Sequence, residues 1–261
     1  MEGTLPTLYL SRSPLLVVLA QVRFSPILQM DKFIPAIQER LRGEGFPKFQ
    51  AIQSTTIQIP AIPTAIQNPT TYWEFMDRDE TKSIVVGTES VAFTVTEYST
   101  FEDFRGGLQI ALLVIHEAVK LPLQTRTGLR YTNLVIPKKG KQVSDYVRPE
   151  ILGLSEDKLS LQRLGYGSEL VCKSNVGNFI FRCGYRTKGP VLPPDLQLLR
   201  LKPKKPLFLD SEFCVLDLDH SIEEETDFDL EITSARFDDL HDLLDRSFRA
   251  AVTPEALKEW E

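Results

Sequence analysis

The 261-residue chain is poor in the side chains that build metal and redox centres, with three cysteines (Cys172, Cys183, Cys214) and three histidines (His116, His220, His241). No CxxC and no Cys/His zinc spacing is present, which excludes a zinc module or a disulfide framework. Buried free thiols in a reducing cytoplasm are expected instead. The longest apolar run near the N-terminus, Pro14–Ala20 (PLLVVLA), falls far short of the ~20 residues a membrane helix needs. Glu2 at the front, and the alternation through Gln21, Val22, Arg23 and Phe24, speak for a buried strand rather than a secretory signal. The 14 glycines and 17 prolines lack period and no heptad persists, so collagen and coiled-coil readings fall away. What remains is a cytoplasmic globular chain, 42% hydrophobic and with net charge −6, that has enough apolar residues for a sizeable core.

Catalytic motifs are missing too. There is no Gly-x-Ser-x-Gly, and His116-Glu117 is not followed by a second histidine. Arg105-Gly106-Gly107 and Arg42-Gly43-Glu44-Gly45 lack the glycine spacing and the Lys-Ser/Thr of a phosphate loop. Gly106 and Gly107 inside a helical pattern suggest close packing or a kink. No cofactor and no catalytic residue is assigned from sequence.

The hydrophobic pattern predicts α+β architecture. Val17–Phe24 reads as a strand stopped by Ser25-Pro26. Asp31 is placed to cap a helix carrying Phe33, Ile34, Ile37 and Leu41, which ends at Gly43 and Gly45. Residues 46–70 read as extended chain and loop. Tyr72–Met76, Ser83–Val86 and Val91–Tyr98 read as an antiparallel set. Thr100 opens a long helix with Phe104, Leu108, Leu112, Ile115 and Val119 on one face, and Gly128–Ile136 is the next strand. Further on, one or two short helices are expected in Ile151–Leu164, and a hairpin in Leu170–Ser174 with Asn178–Arg186. A proline-rich connection at 187–206 follows, then a strand at Phe213–His220, a second at Phe228–Ile232 and a helix capped by Ser234. Thr253-Pro254 opens a final helix. Phe101-Glu102-Asp103-Phe104 and Phe237-Asp238-Asp239-Leu240 each stand at the head of a long helix in this reading. That coincidence points to an internal duplication: two halves, residues 1–140 and 141–261, each an antiparallel sheet with a long helix packed across it.

Three segments, PLLVVLAQVRFSP at 14–26, GLRYTNLVIP at 128–137 and the C-terminal FDDLHDLLDRSFRAAVTPEALKEW, carry a resemblance. The chain resembles a sporadically distributed family of uncharacterised prokaryotic proteins of about this length. That family shows an N-terminal APL-strand-RF, a central LRY-x-N and a terminal helix-TPE signature. Ala20-Gln21 replaces the family's acidic residue in the first strand, and Leu134 follows Asn133 where a basic residue is commoner. The resemblance implies no activity. The family's scattered occurrence implies a place in mobile-element or phage-defence neighbourhoods.

Charge is segregated along the chain. Residues 120–205 hold 17 Lys and Arg against 6 Asp and Glu, a balance of +11, whereas residues 206–261 hold 4 against 17, a balance of −13. The candidate contact residues for a partner or nucleic acid are Arg130, Lys138, Lys139, Lys141, Arg182, Arg186, Lys188, Lys202, Lys204 and Lys205. Tyr166, Phe179, Phe181 and Tyr185 would stack bases among them. Alternatively, the phenylalanines belong to a core and the basic block neutralises the acidic tail of the same molecule. Arg130, on a strand face with Leu134 and Ile136, is expected either to pair with a carboxylate or to aim at an anion. Asp217 and Asp219 share a strand face and, with Asp227 or Asp229, could hold a magnesium ion as nucleases do; a solvated strand end is the plainer reading. His116 and His241 beside apolar stripes are candidate acid/base groups or core-edge histidines. The pattern favours a non-enzymatic interaction module docking on a protein partner, accessory or antitoxin-like, with no membrane association. Nucleic-acid binding through 138–205 and a metal-dependent nuclease are the alternatives.

Overall fold

The computed structural model describes residues 10–54, 70–154, 160–197 and 199–261. One strand sits at its centre. In β1 (Leu15–Phe24), Val18, Ala20, Val22 and Phe24 face a helical layer, while Leu19, Gln21 and Arg23 face the other way. Alternation of this kind buries one face of a strand and leaves the other for polar groups. β1 pairs antiparallel with β5 (Ser90–Val95) on one side and with β6 (Leu123–Val135) on the other. Outward from β5 lie β4 (Lys82–Val86), β3 (Thr70–Met76) and β2 (Lys48–Ser54). Outward from β6 lie β11 (Phe213–Ile222), β8 (Asn178–Arg186) and β7 (Gly165–Lys173). Two short pieces, β9 (Gly189–Pro190) and β10 (Phe208–Leu209), form a separate ribbon, and β12 (Thr226–Asp227) joins the end of β6.

The architecture is therefore α+β with one continuous antiparallel sheet, not two half-sheets. The reason lies at the junction. β1 and β6 are long, apolar on one face and adjacent, and leaving either as an edge would strand a row of unpaired backbone groups. The sheet order is nevertheless matched about that junction: β5–β4–β3 beside β1, β11–β8–β7 beside β6, with a long helix after β5 and after β11.

Those helices are α2 (Phe101–Val119) and α4 (Leu230–Ala251). They pack on one face of the sheet together with α1 (Ile34–Gly43), and the core runs continuously beneath all three. Thr100 caps α2 as its sequence position predicts, accepting the Asp103 N–H at 3.2 Å. Gly107 lets α2 approach β5, since a Cβ there would lie 2.7 Å from Phe93 Cζ; at Gly106 a Cβ would meet nothing within 4 Å. Arg105 of α2 forks onto Asp238 of α4 at 2.6 and 2.8 Å.

Several expected boundaries move. Asp31 lies in a single 3-10 turn (Met30–Lys32), and α1 begins after Phe33 with no side-chain cap. Of the Ile151–Leu164 helices, one short turn of helix, α3 (Pro149–Leu152), is formed, and residues 155–159 lie outside the described residues. Phe228–Ile232 is not a strand: α4 starts at Leu230, capped by Asp229 and not Ser234, with the Asp229 carboxylate accepting the Ile232 N–H at 2.8 Å. Phe237 consequently lies about two turns inside α4, whereas Phe101 is the first residue of α2, so the two matched tetrapeptides occupy different helical positions. The last helix, α5 (Pro254–Trp260), is capped by Thr253 as expected. The 187–206 connection crosses the opposite face of the sheet, where Val191, Leu192 and Leu196 build a second small core with Leu16, Val17, Leu134 and Phe213. Cys183 and Cys214 are buried, but Cys172 is exposed on β7, against the expectation that all three thiols are buried. No helix is long and apolar enough to cross a membrane among the described residues.

Candidate functional site

On the face opposite the helices, beyond the cover of residues 187–212, the register aligns charged side chains across four strands. Thr132 of β6 stands opposite Asp217 of β11, Asp217 opposite Arg182 of β8, and Arg182 opposite Glu169 of β7. Cross-strand neighbours on one face are in contact distance, and these bond: Arg182 Nε donates to Glu169 Oε2 at 2.6 Å, and Arg182 Nη1 lies 3.6 Å from Asp217 Oδ2. Arg130, diagonal to Asp217, donates to it twice, from Nε at 2.7 Å and Nη2 at 2.8 Å, and also reaches Asp195. Burial works against the Arg130 charge, but the Asp217 and Asp195 carboxylates more than offset it and hold the guanidinium pKa above its usual range. The Arg130 bond in turn keeps Asp195 below the ordinary carboxylate value. Asp217 is almost fully buried, so this alternating chain of charge is interior on one side and open to solvent at Glu169.

The next rank of the same face is different in kind. Val215, Gly184 and Gly167 stand opposite one another on β11, β8 and β7, and Arg186 and Gly165 follow one rank further. The Gly167–Gly184 floor, the charge ladder and a wall running from Pro190 to Pro194 border an open slot of about 470 Å³. That volume is in the range of small-ligand pockets.

The other candidates separate as follows. Asp217 and Asp219 do share a face, but each faces arginine, Asp219 having Arg126 3.6 Å away, and burial raises the Asp219 carboxyl. Asp229 is occupied as a helix cap, and no cluster of three metal-ligating side chains occurs among the described residues. His241 stacks on Phe101 with centroids 3.9 Å apart and hydrogen-bonds Tyr131 through Nδ1 at 2.8 Å, beside a cavity of only about 70 Å³. Burial lowers its pKa below the usual imidazole value, against the opposing pull of the Asp245 carboxylate. His116 stacks on Phe228, with its Nδ1 buried and unpartnered among the described residues.

His220, which strand alternation directs inward, meets a residue that sequence reasoning did not connect to it. Its Nδ1 faces the Leu240 carbonyl at 3.2 Å, which can only accept, so Nδ1 carries the proton and Nε2 accepts from Ser174 Oγ at 2.8 Å. That is the tautomer of a general base. Ser174 Oγ, however, also accepts the Val176 and Gly177 N–H groups, which commits it to the β7–β8 turn.

The basic residues singled out in sequence do not form one continuous positive face. Lys138 and Lys141 pair with Glu259 at 3.1 and 2.7 Å, in the C-terminal helix. Lys188 pairs with Asp210, Lys202 with Glu80 and Lys204 with Glu97. Lys205 lies against the start of β1, donating to the Ser13 and Leu15 carbonyls, and burial lowers its pKa to about 8. Lys139, Lys173 and Arg186 make no side-chain hydrogen bond or ion pair among the described residues. Phe179 and Phe181 are buried in the core and cannot stack bases, while Tyr166 and Tyr185 each lie 5.6 Å from the Arg163 guanidinium. No protein-family model matches the chain, and neither a curated protein nor a solved structure is significantly similar to it.

Proposed function

We propose that this is a cytoplasmic, non-enzymatic interaction module that takes an extended acidic segment of a partner protein along the outer edge of β7. The observation that carries the reading is the edge itself. β7 is nine residues long, pairs on one side only among the described residues, and exposes Leu170 and Val171 by more than half. Natural edge strands are normally short, charged or covered, and an apolar open edge is a template for strand addition. Lys173 at one end of β7 and Arg186 on β8 beside its other end have no ion-pair partner among the described residues, and their positive charge is complementary to an acidic strand.

An accessory or antitoxin-like role rests on the resemblance in the three segments described above. The matched strand order about β1 and β6 supports an internal duplication as the origin of the chain. Nucleic-acid binding through 138–205 is the second reading, and the internal pairing of Lys138, Lys141, Lys188, Lys202 and Lys204 speaks against it.

The test is native mass spectrometry of the chain isolated from its own cells at low salt, beside a Leu170→Glu/Val171→Glu variant. An added polypeptide mass that disappears in the variant, while the variant keeps its fold, supports strand docking. A bare chain refutes it, and an added nuclease-sensitive mass favours the second reading.

A further inference from the structure

Strand glycines are costly relative to alanine and usually answer to a positive φ or a crowded Cβ position. Elsewhere in this sheet Gly128 of β6 does, being covered by the Arg126 guanidinium, and in the β7–β8 turn a Cβ at Gly177 would lie 2.0 Å from the Ser221 carbonyl oxygen. The two glycines that line the slot, Gly167 and Gly184, and Gly165 one rank beyond them, answer to neither. Gly165, Gly167 and Gly184 have no positive φ, a Cβ at Gly184 would meet nothing within 4 Å, and those at Gly165 and Gly167 would make only ordinary contact, at 3.7 and 4.0 Å. The fold does not need them. They leave bare peptide planes as the floor of a ligand-sized slot.

The surroundings define what would lie there. A flat body fits against the peptide planes of Gly167 and Gly184, with Val191 and Leu192 as apolar wall. At one end the Glu169 carboxylate, half exposed, retains capacity to accept from a donor beyond its bond to Arg182. At the other end the Arg186 guanidinium, without an ion-pair partner among the described residues, is suited to an anion, phosphate above all. Arg182, whose bond holds Glu169, and Arg186 are four residues apart on one strand face, roughly 13 Å between Cα atoms, which sets the two ends of the slot apart along β8.

We propose that this slot binds a mononucleotide with an amino-bearing base, the ring on the Gly167–Gly184 floor, the exocyclic amine at Glu169 and the phosphate at Arg186. The slot shares Arg186 with the acidic-strand reading but needs no partner protein, and the Leu170→Glu/Val171→Glu variant, which changes no residue lining the slot, tells its failure apart from that of strand docking.

Titration calorimetry of the isolated chain with adenosine 5′-monophosphate, adenosine and inorganic phosphate tests it. The nucleotide should bind, and adenosine and phosphate should each bind at least about tenfold more weakly. Gly184→Val should leave the melting temperature unchanged or raised, because valine suits a strand and meets open space, while binding of the nucleotide is lost. Arg186→Gln, at an exposed position, should cost the nucleotide about tenfold and leave adenosine unaffected. Absence of nucleotide binding at about 1 mM, phosphate binding as tightly as the nucleotide, or undiminished binding by folded Gly184→Val would each overturn the assignment.

Discussion

At Arg130 the choice between pairing and ligand contact is made by neighbours far away in sequence. Its guanidinium is shared between Asp217 and Asp195, and removing it leaves a nearly fully buried carboxylate with Arg182 at 3.6 Å as its remaining cation. Arg130→Ala is expected to lower the unfolding free energy by about 3 kcal/mol, measured by urea denaturation. The Arg130→Ala/Asp217→Ala double variant should cost clearly less than the two single changes combined. Lys205 presents the opposite case, a buried amine satisfied by carbonyls with no carboxylate. Its folded pKa of about 8 lies below the ordinary 10.5. Between those values the unfolded chain holds a proton that the folded chain has released. The destabilising contribution of Lys205 is therefore full below pH 8 and fades as the pH rises toward 10.5. Compared with Lys205→Met at pH 7 and pH 9.5, the wild type should gain relative stability at the higher pH, and a constant difference would show that the amine titrates normally.

Among the elements, α2 was legible because its stripe of Phe104, Leu108, Leu112 and Ile115 is strictly helical and Thr100 announces its start. The start of α4 was not legible, because Phe228–Ile232 alternates like a strand. Only the packing of the helix on β6 and β11, and the Asp229 cap, decide otherwise. The two glycines of α2 separate cleanly: Gly107→Ala should destabilise by about 1–3 kcal/mol through its collision with Phe93, whereas Gly106→Ala should stabilise by up to about 1 kcal/mol. Thermal melts of the two variants should shift in opposite directions. The connection 199–206 is held to the N-terminal strands by Lys202, whose partner Glu80 also binds Lys48. Those hydrogen bonds, from Lys202 first and then Lys48, lower the Glu80 carboxyl from 4.5 to about 2. Its stabilising contribution is present above 4.5 and lost as the pH falls through about 2. Glu80→Gln should thus raise hydrogen exchange and protease cleavage in residues 199–206 at neutral pH. For the same reason, charge reversal at Lys202, Lys204 and Lys205 would loosen this strap.

For the whole molecule, the pairing of β1 with β6 makes one cooperative sheet out of two similar arrays. Residues 1–140 alone would retain β6 without β11, and residues 141–261 would present β11 with no neighbour on that side. Each fragment expressed alone is expected to aggregate or remain unfolded, and the intact chain to melt in a single transition by calorimetry. Two resolved transitions would mean that the halves fold independently.

What the sequence by itself determined is local: the alternation of β1, the helical stripe of α2, the Thr100 and Thr253 caps, the hairpin at Asn175–Gly177 and the block segregation of charge. These follow from the periods of strand and helix and from short-range hydrogen bonding, which act over a few residues. The tertiary structure alone decided that the halves share a sheet. It also decided that five lysines of the basic block pair with Glu80, Glu97, Asp210 and Glu259, and that two strand glycines with no conformational need for glycine, Gly167 and Gly184, line one slot. Such pairings are set by cross-strand register and by long connections folding back over the sheet. Both depend on contacts between residues tens to hundreds of positions apart, and no local period records them.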